Sequence, residues 1–124
     1  MATFGPEIDT TGYINLTTYK KDGTPVTTVV WAVRDGDAFI ITTAEDAGKA
    51  KRARATGRAE VGPADRQGKS LGPSVPATVR QLPIDAVKEK TPLFMKRYGL
   101  MAKGIFTMNR WRGMKQVMLE VVPA

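Results

Sequence analysis

The chain has no cysteine and no histidine. Together these absences remove thiol nucleophiles, disulfides, metal sites built on Cys or His, and imidazole acid–base chemistry. No apolar run approaches the length needed to cross a bilayer, and the opening Met1 to Asp9 carries neither a basic region nor a long apolar stretch. A soluble, cytoplasmic protein without a membrane partner is expected. A Walker loop is missing too. Gly48-Lys49 invites the comparison, but Thr43 stands where an earlier glycine is needed and Ala50 where Ser or Thr should follow. ATP and GTP are set aside. An enzyme made from what remains would take its reactive chemistry from a cofactor and use its own residues to bind and aim it.

What is present is an ordinary globular composition, 42% apolar and 25% charged, without an internal repeat. Its 124 residues suit a single domain, residues 1–124, with one core. The net charge of +7 favours an anionic partner: nucleic acid, an acidic surface or a phosphorylated small molecule.

The stretch from Thr42 to Arg58 reads as a strand feeding a short helix. Thr43 and Asp46, three apart, are expected to form a capping box, alanines and basic residues favour helix, and Gly57 supplies a stop. At about 100° per residue, Lys49, Arg52 and Thr56 share one side and Lys51 and Arg54 another, with only small alanines between. No broad apolar stripe accounts for this helix. Its first turn has unpaired N–H groups and the positive dipole end, with Lys49, Lys51, Arg52 and Arg54 alongside. The segment is an anion site or, failing that, a solvated basic face.

Tyr13 to Lys20 and Pro25 to Arg34 are rich in Thr, Val, Ile and aromatics, and Lys21-Asp22-Gly23-Thr24 between them carries a hairpin turn. Ala38 to Thr43 follows a second glycine-centred turn, so the first fifty residues read as an antiparallel meander. Val29, Trp31 and Val33 would face one way, Val30 and Ala32 the other. Such a strand needs cover on both faces. Ala59 to Ala64 is a weaker strand, expected at an edge or with a bulge because of Gly62 and Pro63. Another strand runs from about Ser74 to Gln81. Pro83 opens a helix that Thr91-Pro92 should break and restart before the stop at Gly99. Leu100 to Arg110 reads as a helical or looped crossover, and Lys115 to Val122 as a last strand with Val117, Leu119 and Val121 inward. The order is β-β-β-α-β-β-α-β.

Leu16 to Val26, the Val30-Trp31 pair, Thr42-Thr43 and Gly48-Lys49-Ala50-Lys51-Arg52, in this order and spacing, resemble the pyridoxamine 5′-phosphate oxidase-like split β-barrel superfamily. Within it the likeness is to the flavin/deazaflavin oxidoreductases that use coenzyme F420. Asp65-Arg66-Gln67-Gly68 and Lys96-Arg97-Tyr98-Gly99 resemble that group as well.

The resemblance implies a mainly β fold with short helices, a six-stranded antiparallel split barrel, and a homodimer with cofactor sites at the subunit interface. It implies that Thr42, Thr43, Lys49, Lys51 and Arg52 hold the phosphate and acidic tail of the cofactor, while Thr28, Val29, Val30 and Trp31 lie along its ring system. The expected activity is hydride transfer between reduced deazaflavin and a small organic acceptor. FMN is the alternative cofactor, and FAD and haem also occur in the superfamily. No catalytic side chain is assigned; Tyr13, Tyr19 and Tyr98 are open candidates for a proton. Two other readings stand beside this one: a non-catalytic cofactor-binding barrel, and a small basic nucleic-acid-binding module using Tyr13, Tyr19 and Phe39. The sequence carries no RNP or KH signature for the second, and nucleic acid is not the expected partner.

Overall fold

A computed structural model describes residues 4–6, 8, 11–45, 47–83, 85–99 and 116–124. β1 (Tyr13–Tyr19) and β2 (Pro25–Trp31) form the expected hairpin, in register from Tyr13 opposite Trp31 to Tyr19 opposite Pro25. The turn suits its sequence. Gly23 takes φ 91°, a conformation glycine adopts freely, and Asp22 Oδ1 accepts from the backbone of Thr24 at 2.9 Å.

The expected strand from Pro25 to Arg34 is two strands. After Ala32 the chain continues as β3 (Val33–Asp35), which pairs with β4 (Ala38–Ala44). With β5 (Arg58–Pro63), β6 (Val75–Gln81) and β7 (Gln116–Pro123), the described residues contain one seven-stranded sheet in the order β2-β1-β5-β6-β7-β4-β3. All of its pairings are antiparallel. The expected six strands are therefore corrected to seven, and the difference lies at Ala32. The expected meander is corrected as well, because β2 and β3 occupy opposite edges. One residue separates them in the chain, so the sheet must curl until its edges approach, forming a half-barrel.

Alternation along the strands sorts the apolar residues into two clusters. Ile14, Leu16, Val30, Ala32, Phe39, Ile41, Val61, Val79, Leu119 and Val121 fill the inside, joined by Phe4 and Ile8 from the N-terminal lead. Phe4 stacks on Phe39 with ring centroids 4.7 Å apart, and Arg34 donates to the carbonyls of Phe4 and Gly5. On the outer face Val33, Ile40 and Met118 pack with Leu82 and Phe94, and Trp31 leans on the same group. Val30 and Trp31 thus face opposite ways, as the alternation predicts. β5 lies between β1 and β6 instead of at an edge. Its Gly62 permits a close approach, since a Cβ there would meet Ser74 Oγ at 2.6 Å.

The two helices among the described residues cover the curled sheet. α1 (Gly48–Thr56) packs on β1, β6 and β7 through the narrow seam of Ala50 and Ala53, and Gly57 ends it with φ 68°. The capping box does not form. Thr43 lies within β4 and Ala47 is the N-cap, with no side-chain cap bond; Asp46 falls outside the described residues. α2 (Asp85–Tyr98) continues through Pro92 as a single helix, correcting the expected break. Packing of buried Phe94, with Val87, Leu93 and Met95, against the outer cluster outweighs the hydrogen bond that proline removes. Thr91 Oγ1 donates to Val87 O at 2.5 Å and caps nothing. The expected crossover from Leu100 to Arg110 lies outside the described residues. No described helix is long and apolar enough to cross a membrane.

Candidate functional site

The break at Ala32 creates the first part of the site. β3 covers one side of β4 only from Ala38 to Ile40, where Val33 faces Ile40. Carried past Ala32, that register would set Trp31 opposite Thr42 and Val30 opposite Thr43. β2 instead turns to pair with β1, so the sheet parts between Thr28–Trp31 and Thr42–Ala44. Among the described residues no strand covers β2 on its outer edge, or Ile41–Ala44 on the side facing it. Strand edges of this kind present backbone donors and acceptors to whatever occupies the gap.

The six ring and threonine candidates therefore flank one split, but not on one face. Thr28 lies opposite Leu16 and Val30 opposite Ile14, both inward. Val29 and Trp31 lie outward, with Val29 38% exposed and Trp31 meeting Tyr13 edge to face at 6.3 Å. Thr42 is outward, where Gln116 Nε2 donates to its hydroxyl, and Thr43 is opposite Val117 on the other side of the strand. A flat group entering the split from its outer mouth would touch the Val29 and Trp31 side chains, with Val30 offering backbone only and Thr28 its backbone and, at the inner wall, its hydroxyl. The Thr28 hydroxyl oxygen is buried and has no hydrogen-bond partner among the described residues. A native interior rarely tolerates such a group, so a ligand at the split is a natural source of the missing bond.

The second part is electrostatic. β4 runs directly toward α1, and the expected sides of that helix are observed. Arg52 Nε donates to Thr18 Oγ1 at 2.5 Å and Thr56 Oγ1 donates to Tyr19 O at 3.2 Å, both toward β1. On another side Arg54 donates to Gln81 Oε1 and to Glu45 O. Lys49 is partly buried, and that burial, followed by repulsion from Arg52, lowers its pKa from the ordinary lysine value. Among the described residues no carboxylate offsets this. Beyond it lies an open cleft of about 490 Å³ lined by Lys20, Lys21, Lys51, Arg52, Arg54 and Ala55. Among the described residues that line it, five are cations and none is acidic.

Lys51 and Arg52 thus stand together in the cleft, and Lys49 lies near enough to Arg52 to feel its charge. Lys20 and Lys21 are additions to the expected cations, and Arg54, expected beside the helix's first turn though not among the phosphate candidates, lines the cleft as well. Lys20 and Lys21 belong to the β1–β2 hairpin tip, some thirty residues from α1 in sequence, and only their charge beside a turn hinted at a role. The cleft and the outward Val29 are separated along β2 by the four residues from Pro25, about 13 Å at the rise of an extended strand. Tyr19 is no ready proton donor: its hydroxyl bonds Glu60 at 2.8 Å, and that bond, then burial, raise its pKa. Among the described residues no group of three His, Cys, Asp or Glu could hold a metal.

No protein-family model matches the chain, and no curated protein matches it. Solved structures do. The heme storage protein HutZ from Vibrio cholerae superposes with a TM-score of 0.73 at 12% identity, covering 99% of this chain and 92% of its own. An F420 reductase gives 0.64 at 17% identity, covering 100% and 95%. A putative pyridoxamine 5′-phosphate oxidase from Listeria innocua gives 0.62 at 14%, covering 94% and 86%. At these identities the likeness establishes the fold, that of pyridoxamine oxidase-like split barrels.

Proposed function

We propose that this protein binds coenzyme F420 and exchanges hydride between it and a small organic acceptor, as a homodimer with its cofactor sites where two subunits meet. The reading rests on the five-cation cleft between α1 and the hairpin tip, next to a split barrel. Like charges held together without a carboxylate repel one another, and an anionic ligand turns that cost into binding energy. A phosphate that continues into an acidic tail suits five cations better than the single phosphate of FMN. F420 reductases are among the structures sharing this fold.

When bound, the reduced deazaflavin supplies the hydride. The chain's part is to hold and aim it. Lys49, Lys51 and Arg52 would hold the phosphate, Lys20, Lys21 and Arg54 the more distal negative charge, and the edges of β2 and β4 would meet the polar rim of the ring. Val29 and Trp31 would give it an apolar support. Alignment and electrostatics then carry the catalysis, because no His or Cys is present to do proton or covalent chemistry. The same absence disfavours haem, whose iron is most often held by those side chains.

Absorbance and fluorescence titrations of the purified protein with F420 and, separately, with FMN test the proposal. A micromolar or tighter response to F420, at least tenfold tighter than to FMN, is expected. Response to FMN alone would move the protein to the flavin group, and response to neither would overturn a cofactor role. Oxidation of reduced F420 by candidate acceptors separates an enzyme from a carrier.

A further inference from the structure

The turn after β5 is built to stay in one place. Asp65 Oδ1 accepts from the backbone N–H groups of Gln67 at 2.8 Å and Lys69 at 2.9 Å. Gly68 N donates to Asp65 O, and Asp65 N to Lys69 O, both at 3.0 Å. The turn is then fastened to β1, where Asn15 Nδ2 donates to Gly68 O at 2.9 Å.

This fastening brings Gly68 against Val29, an outward and exposed residue of β2 between Trp31 and the hairpin tip. A Cβ on Gly68 would lie 3.4 Å from Val29 Cβ, and Gly68 adopts φ 88°, where other residues are strained. Asn15 is itself the cross-strand partner of Val29. One carboxamide therefore sets both the height of the turn and the flank of Val29, while leaving Val29 open toward the split. Five hydrogen bonds for a five-residue surface turn are more than connecting β5 to β6 requires.

From this geometry we infer that the turn from Asp65 to Lys69 and Val29 form one wall of the cofactor-ring seat, and that Asn15 is its positioning residue. The inference rests on the proposed function but concerns a different part of the site from the cations. Asn15 touches no ring. It acts through Gly68 and Val29, so its loss changes how the ring lies more than how tightly the anionic end is held.

Asn15→Asp tests this, because it preserves shape while replacing the donor to Gly68 O with an acceptor. Three readouts are taken with F420 as probe: the dissociation constant, the absorbance band of the bound cofactor, and trypsin cleavage after Arg66 and Lys69 with and without cofactor. The wild type should be protected at both sites when loaded. The variant should bind within about threefold of wild type, show a band moved toward that of free F420, and lose the protection; Asn15→Ser, which can still donate, should recover part of the shift. Lys51→Ala should do the reverse, weakening binding with an unmoved band. If Asn15→Asp fails to fold, Gly68→Ala displaces the same turn and is held to the same readouts. Wild-type binding without protection at Arg66 and Lys69, or an unmoved band in the variant, overturns the inference and leaves the proposed function standing. No binding by the wild type overturns both.

Discussion

Arg52 reaches back over Gly48 and donates through Nε to the hydroxyl of Thr18 at 2.5 Å, tying the basic helix to the first strand. The guanidinium lies close over Gly48, where a Cβ would sit 2.6 Å from Arg52 Nη1. Thr18 is fully buried, so its oxygen depends on this donor. Arg52→Ala should cost about 1–3 kcal/mol in urea unfolding, the usual penalty for leaving a buried polar group unsatisfied. In Thr18→Val, where the orphan is gone, the same change should cost markedly less. Equal costs in the two backgrounds would mean the bond does not hold α1 in place.

Lys51 is exposed, so its removal should hardly touch the fold. Lys51→Ala is expected to stay within about 0.5 kcal/mol of wild type in stability. Its F420 affinity should fall, and Lys20→Ala with Lys21→Ala in one chain should lower it further. Affinity measured against salt checks the cause: the wild-type dependence should be steeper than that of the variants. Unchanged affinity in all of them would remove the cleft from the site.

Much of this arrangement was legible in the residues, for physical reasons that also mark where legibility stopped. The Asp22-Gly23 turn and the alternation of Val29, Val30 and Trp31 are local signals, and the hairpin and both its faces follow from them. The helix sides carrying Lys49 with Arg52 and Arg54 apart from them follow equally from the helical repeat. The break at Ala32 was invisible, because it arises from competition between β1 and β4 for one continuous β-forming segment. Pro92 misled for a related reason, since packing of Phe94 overrode a local breaker. Phe4 and Ile8 gave no periodic signal, being two apolar residues in a polar lead that only the barrel interior makes significant. The cleft needed the tertiary structure to bring Lys20 and Lys21 to α1.

The Asp65 turn gives a pH test with a definite sign. Bonds from the backbone of Lys69, then Gln67, lower the pKa of Asp65 from its ordinary value. A lowered folded-state pKa means its stabilising effect is complete above the unfolded-state pKa, near 4, and is lost as pH falls through the folded value. Asp65→Ala should therefore melt below wild type at pH 7, with the two melting curves converging as pH falls below about 4. Asp65→Asn, which keeps an acceptor oxygen, should lie between them at pH 7. A gap between wild type and Asp65→Ala that persists undiminished under acid would assign the effect to something other than the carboxylate.

Thr28 separates what the fold needs from what the site needs. Its buried hydroxyl oxygen has no partner among the described residues, and a hydroxyl so placed costs the free protein its desolvation with no bond in return. Valine has nearly the same shape without the oxygen. Thr28→Val should consequently unfold at the same or a higher temperature than wild type when free, by up to about 1–2 kcal/mol on the scale of an unsatisfied polar group. A cofactor at the split would supply the missing hydrogen bond, and the same variant should then bind F420 several-fold more weakly. Stability and affinity moving in opposite directions is the signature of a residue kept for a ligand. A variant that loses stability while its affinity is unchanged would show instead that the hydroxyl serves the barrel itself, and the inner wall of the split would lose its claim to the cofactor.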